Sequence, residues 1–180
     1  MFARIFISSL AVLFCFSPAM ADVYDNKTHQ LEADFPAKVE TFTDSPSKGT
    51  RIEMAMCFHG SQQYSTGVMM IDGYPANPNQ LHELSDLLVK NSVKELCKGL
   101  DRIEILKQED VKINPHCPMG VATLMRHDDG CLYFWVTIKN GKLYWVLVNA
   151  KGKEQLKTAP AKPFLDSIRI KDTKSAPMSK

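Results

Sequence analysis

The sequence predicts an α+β protein, an α/β/α sandwich whose central antiparallel sheet has about six or seven strands and carries helices on both faces. Three observations lead there. Stretches of two-residue apolar alternation are joined by tight-turn dipeptides, and one amphipathic stretch shows the three- and four-residue apolar spacing of a helix. The strands near the C-terminal end are apolar on both faces, so both faces need a cover, and a bare sheet would leave Trp135 or Trp145 in water.

The chain opens with Arg4, an apolar run from Ile5 to Phe16, and Ala19-Met20-Ala21. A basic head, a short apolar core and a small-x-small triplet predict a signal peptide over residues 1–21, cleaved between Ala21 and Asp22. The apolar run is too short for a spanning helix, so no integral membrane segment is expected after cleavage. Cys15 follows the bulky Phe14, which disfavours lipoprotein processing. The expected location is the periplasm or the exterior. A single domain is expected over residues 22–170, with a disordered tail over 171–180, where Lys, Ser, Thr and Pro replace apolar residues.

Leu31-Glu32-Ala33-Asp34-Phe35 alternates and stops at Pro36, which predicts a short strand. Thr50 to Phe58 alternates Ile52, Met54, Met56 and Phe58 against Arg51, Glu53, Ala55 and Cys57, and a loop around Gly60 to Gln62 returns the chain into a strand from Tyr64 to Asp72. Asn77-Pro78-Asn79 has helix-start chemistry, and Leu84, Leu88, Val89, Val93, Leu96, Cys97 and Leu100 predict a helix from Leu81 to Leu100 that stops near Gly99. Arg102 to Ile113 follows as a strand. Asn140-Gly141 predicts a type I′ hairpin that pairs Ile138 with Leu143, Val136 with Trp145 and Phe134 with Leu147 on one face. On the other face it pairs Thr137 with Tyr144, Trp135 with Val146 and Tyr133 with Val148. An Asp129-Gly130 turn is expected to bring Met125 opposite Phe134 and Leu124 opposite Trp135. Pro163 in a first helical turn, with Phe164, Leu165 and Ile168 as one apolar patch, predicts a short closing helix.

The whole chain carries a formal charge of +2, and removal of the signal with its single Arg4 leaves +1. Near-neutral, interspersed charge argues against a nucleic-acid stripe or a polybasic membrane patch. Four cysteines follow the cleavage point: Cys57, Cys97, Cys117 and Cys131. An even count in an exported chain predicts two disulfides, with three connectivities open; Cys57 and Cys131 are expected on one face of one sheet. No C-x-x-C pair is present.

The order of elements resembles the PsbP and Mog superfamily. The likeness rests on the early strand ending in Phe35-Pro36, a hairpin, the long helix from Leu81, the run of antiparallel strands, and Phe164-Leu165-Asp166-Ser167-Ile168-Arg169, which is similar to a closing F-x-x-S-F-R pattern with Ile168 in place of the second aromatic. It covers about Leu31 to Lys171. Members include extrinsic photosystem subunits, a binder of a small nuclear GTPase and many exported bacterial proteins. The resemblance implies a binding or adaptor scaffold and transfers no catalytic residue, because the matched positions belong to core and caps.

Two groups of residues invite chemistry. Met54, Met56, His59, His116, Met119 and His127, with the cysteines and with Met69, Met70 and Met125, have the soft donors that suit copper, and copper handling is an extracytoplasmic task. Strand alternation sets Met54 and Met56 against Cys57 and His59, however, and methionine is a common core filler. A cysteine nucleophile at Cys57 or Cys117 would need a histidine brought by the fold, from His127 or His29. Asp128 and Asp129 belong to a turn. There is no P-loop, G-x-G-x-x-G, H-E-x-x-H or G-x-S-x-G. The expected function is therefore an exported binding or adaptor domain with a protein partner, without catalysis or cofactor. The alternatives are a periplasmic copper-binding protein and a small hydrolase.

Overall fold

The computed structural model describes residues 21–72, 77–87, 103–128, 130–151 and 161–172. The signal segment, Cys97 and the predicted helix stop at Gly99 lie outside these residues. Among the described residues ten strands form two antiparallel sheets. The larger has seven strands in the order β3 (Glu40–Ser47), β4 (Thr50–His59), β5 (Gln62–Ile71), β9 (Lys142–Lys151), β8 (Gly130–Lys139), β7 (Gly120–His127) and β6 (Ile103–Val111). The smaller is β1 (Asp22–Asn26), β2 (Leu31–Phe35) and β10 (Arg169–Ile170).

The Asn140-Gly141 hairpin has the expected register in full. Lys139 pairs with Lys142, and every pair from Ile138/Leu143 to Tyr133/Val148 follows. Asn140 at φ 52° and Gly141 at φ 70° supply the two left-handed residues of a type I′ turn. The preceding hairpin departs from expectation. His127 pairs with Gly130, Met125 with Leu132 and Leu124 with Tyr133. The pairing thus closes between His127 and Gly130, one position earlier than an Asp129-Gly130 turn requires, and Gly130 opens β8. Each partner moves by two residues, which keeps every side chain on its expected face.

The expected sandwich of helices on both faces is corrected. One face of the large sheet packs against the small sheet and a seven-residue helix, α2 (Ala161–Ser167). Leu31, Ala33 and Phe35 of β2 point into this layer and meet Ala55, Cys57, Tyr64, Val68, Trp135, Val146 and Val148. A strand covers sheet here because its alternation gives a continuous apolar edge, and the sequence analysis found only β2 of the three. On the opposite face Asn77 caps a 3₁₀ turn, Pro78–Gln80, its side chain accepting from the Asn79 amide at 3.0 Å. Helix α1 follows, described over 81–87, and sets Leu81 and Leu84 against Val121, Met125, Leu132, Phe134, Val136, Ile138, Leu143 and Leu147.

α2 explains the closing motif physically. Phe164 is buried against Phe35 and Tyr64, with ring centroids 4.9 and 5.4 Å away. The Ser167 hydroxyl accepts from the Asp34 amide at 2.9 Å and donates to the Phe164 carbonyl at 2.7 Å, stapling α2 to β2. Lys171 and Asp172, assigned to the tail by sequence, are held. The Lys171 amide donates to the Gln30 carbonyl at 2.9 Å, and Asp172 pairs with Lys139 at 2.9 Å.

Candidate functional site

β3 lies in a segment that the sequence analysis left unassigned between Pro36 and Thr50. Glu40-Thr41-Phe42-Thr43-Asp44 alternates, and Thr and Phe suit a pleated surface. Its register with β4 pairs Glu40 with Met56, Phe42 with Met54 and Asp44 with Ile52. These six residues therefore share one face, together with Phe58 two positions beyond Met56. Met54 is buried, Met56 and Ile52 half-buried, and Phe42 and Phe58 are 39 % and 47 % exposed. The sequence expectation that Ile52, Met54, Met56 and Phe58 form one core face is met at Met54 and fails at Phe58.

This apolar face continues across β5 to β9. Met54 pairs with Gly67, which pairs with Trp145. A Cβ at Gly67 would lie 2.6 Å from the Trp145 ring and 2.7 Å from the Glu53 carbonyl, so the glycine is what lets the indole lie over the sheet. Trp145 itself is half-buried, less covered than the sandwich expectation required. Glu40 and Asp44 flank Phe42 along β3 and give the apolar strip an acidic border. A cleft of about 300 Å³ opens beside Phe42, lined by Tyr24, Asn26, Thr41, Glu53 and Met54 among others.

Behind this cleft lies a polar cluster that sequence reasoning missed, apart from naming His29. The Asn26 amide donates to Glu53 Oε2 and to the Tyr24 hydroxyl, both at 2.9 Å. Arg51 pairs with Glu53 Oε1 at 2.7 Å, and His29 Nε2 stands 3.3 Å from the same oxygen. Lys142 Nζ donates to His29 Nδ1 at 3.1 Å, which leaves the ring proton on Nε2, toward Glu53. Burial holds the His29 pKa below its ordinary value; Glu53 opposes this, and Lys142 and Arg51 reinforce it. Burial pushes the Glu53 carboxyl up, but hydrogen bonds from Asn26 and His29 and the charges of His29 and Arg51 outweigh it and leave the pKa lowered. Tyr24 is raised, by burial first. The cluster fastens the β1–β2 hairpin to β4 and β9.

The predicted copper donors do not converge. Met54 and Met56 share one face of β4, and His59, exposed, belongs to the other. His127 is buried on β7, with Nε2 3.1 Å from Asn149 Oδ1. Four strand spacings separate β7 from β4, about 19 Å. His116 and Met119 are exposed in the β6–β7 loop. Among the described residues no three His, Cys, Asp or Glu side chains are grouped to hold a metal ion.

The cysteines require a correction. Cys57 and Cys131 do share a face, as expected, but β4 and β8 are three strand spacings apart, about 14 Å, far beyond a disulfide's reach. Cys57 and Cys117 carry buried free thiols, so the two bridges expected among four cysteines are not formed. Burial pushes both thiols up to about 11. Such thiols are poor nucleophiles at neutral pH and pack as small apolar side chains.

Comparison with solved structures decides the fold. The solution structure of cyanobacterial PsbP (CyanoP) from Synechocystis sp. PCC 6803 superposes with a TM-score of 0.61, covering 90 % of this chain and 99 % of that one at 12 % identity. The fold is PsbP-like. At that identity the likeness speaks of the fold alone. A crystal structure of a Bacteroides thetaiotaomicron protein also matches, at TM-score 0.40 and 9 % identity, over 83 % of this chain and 48 % of that one. No family model matches the sequence, and no curated relative does. On this PsbP-like frame the apolar strip of β3 and β4 occupies one edge of the large sheet, on the face opposite the small sheet. Among the described residues no helix is long and apolar enough to cross a membrane.

Proposed function

We propose that this is an exported protein-binding adaptor that docks its partner on the strip formed by Phe42, Met56 and Phe58. The observation that carries the reading is the exposure of two phenylalanines on one face of adjacent strands, with Met56 between them. Aromatic and methionine side chains are enriched in the buried centres of protein interfaces, and two exposed phenylalanines with a half-buried methionine on one sheet face fit such a centre. Glu40 and Asp44 on the same face favour a partner whose apolar contact is bordered by Lys or Arg. Export is supported by the Arg4-headed apolar segment and the Ala19-Met20-Ala21 triplet. A non-catalytic role is supported by the buried, proton-holding thiols of Cys57 and Cys117 and by the scaffold character that the superfamily resemblance implies.

Site-specific photocrosslinking in the native compartment tests the proposal. A benzophenone side chain at position 42 or 58 should give one discrete adduct, and the same group at the exposed Asp34 should not. Unlabelled wild-type protein should compete the adduct away, whereas Phe42→Asp/Phe58→Asp protein should not. An adduct of twice the chain's own mass would make the partner a second copy. Equal labelling from all three positions, or none from 42 and 58, would contradict the reading.

A further inference from the structure

A second site lies at the other end of the sheet, where the β6–β7 loop faces β10. The loop is anchored throughout. The Trp135 indole donates to the Val111 carbonyl at 3.1 Å as β6 ends, and the Thr137 hydroxyl donates to the Met119 carbonyl at 2.6 Å before β7 begins. Between them the buried Asn114 amide donates to the Leu165 and Ile168 carbonyls at 2.7 and 2.9 Å, and Asn114 Oδ1 accepts from the His116 amide at 2.8 Å. Pro115 and Pro118 stiffen the rest. The result is a preformed cleft of about 440 Å³ lined by His116, Cys117, Lys139, Arg169, Lys171 and Asp172 among others.

Three cations and an imidazole line this cleft in a chain with a formal charge of only +2. Their commitments differ. Lys171 is paired with Glu32 of β2. Lys139 donates to the Ile170 carbonyl at 2.8 Å and meets Asp172 Oδ1 at 2.9 Å. The Arg169 guanidinium donates from Nη1 to the Ser167 carbonyl, which leaves further donors of its planar fork for a ligand. Asp172 is 88 % exposed at the side chain, so the carboxylate on Lys139 is held from one side and open to exchange.

We infer that this cleft is an anion-binding site for a compact, multiply charged oxyanion, a phosphate or a dicarboxylate, which takes the place of the Asp172 carboxylate on Lys139 and is forked by Arg169. The Lys139–Asp172 pair already displays the contact: a carboxylate seats on Lys139 at 2.9 Å. A ligand with two or more charges would gain Arg169 as well, and Arg is suited to bidentate oxyanion contacts. His116 stands at the same cleft as a further donor. The site is separate from the β3–β4 strip, and neither depends on the other.

Titration of the ¹⁵N-labelled protein with inorganic phosphate, and separately with malonate, at constant ionic strength tests it. Saturable amide shifts are expected at His116, Cys117 and Arg169 to Asp172, and the ligand that saturates at the lower concentration identifies the source. Arg169→Gln should weaken binding about tenfold or more, as loss of a charge-assisted contact does. Asp172→Asn, which removes the competing carboxylate, should tighten it several-fold. Should Arg169→Gln fail to fold, Lys139→Gln, which removes the ammonium that seats the anion, serves with Asp172→Asn in its place. Shifts that remain linear for both ligands, that saturate elsewhere, or that are the same in wild type and the variants would overturn the assignment.

Discussion

His29 is held between a carboxylate and an ammonium, and its protonation state follows from them. Burial, reinforced by Lys142 donating to Nδ1, outweighs the pull of Glu53, so folding favours the neutral imidazole. Its folded pKa lies below the unfolded value near 6.5, so the unfolded chain binds the proton first as pH falls. Stability contributed by neutral His29 is therefore present above about pH 6.5 and lost as pH drops toward the folded value. Glu53 acts in the same direction lower down, because its lowered pKa gives stability that fades as the carboxylate is protonated. Thermal melting between pH 7.5 and 5 should show a larger loss in wild type than in His29→Gln. Parallel curves would show that the ring does not titrate on unfolding. The thiols give a second test. Cys57 and Cys117 should resist alkylation in the native protein and react once it is denatured without reductant. Denatured protein without any free thiol would restore the two disulfides expected from the cysteine count.

Two glycines decide how the tryptophans lie on the strands. A Cβ at Gly120 would come 2.4 Å from Trp135 Nε1 and 2.5 Å from the Val136 carbonyl, and Trp135 is fully buried with its indole proton committed to Val111. Backbone on one side and a fixed ring on the other leave no room to yield, so Gly120→Ala should cost about 1–3 kcal/mol or more in chemical denaturation. A change under about 0.5 kcal/mol would mean that the β7–β8 contact is looser than described. Much of the sheet was legible because local rules fixed it: the Asn140-Gly141 turn alone set ten residue pairs of β8 and β9. The Asp128–Gly130 turn was misplaced by one residue because either Asp can occupy a turn and Gly130 fits a strand start equally well. β1 and β10 escaped notice because Asp22–Asn26 alternates weakly and Arg169–Ile170 is two residues long, so only pairing with β2 makes them strands. β3 was missed for a related reason: its apolar face carries the single Phe42, too little for a periodicity argument. The candidate strip was hidden with it. The methionine cluster was visible in sequence, but periodicity could not show that three strands intervene between β4 and β7.

Among the described residues a small sheet covers one face of the seven strands, and α1 is directed onto β7, β8 and β9 from the other. The edges of the large sheet are treated differently. β6 carries Glu104, Lys107, Glu109 and Asp110 and a register shift between Ile105 and Lys107, all of which discourage a further strand. β3 has its own irregularity between Asp44 and Ser47, yet presents Phe42 beside Met54. The proposed docking surface is the face next to β3, where two aromatic rings are exposed, whereas the exposed apolar residues of β6 are the aliphatic Ile105 and Leu106. Hydroxyl-radical footprinting of the isolated protein and of its partner complex tests that claim. Phe42, Met56 and Phe58 should be oxidised in the isolated protein, Trp135 and Phe134 should be spared, and complex formation should protect Phe42, Met56 and Phe58 while leaving exposed Met119 unchanged. Protection at Met119 instead, or no protection along β3 and β4, would contradict the account.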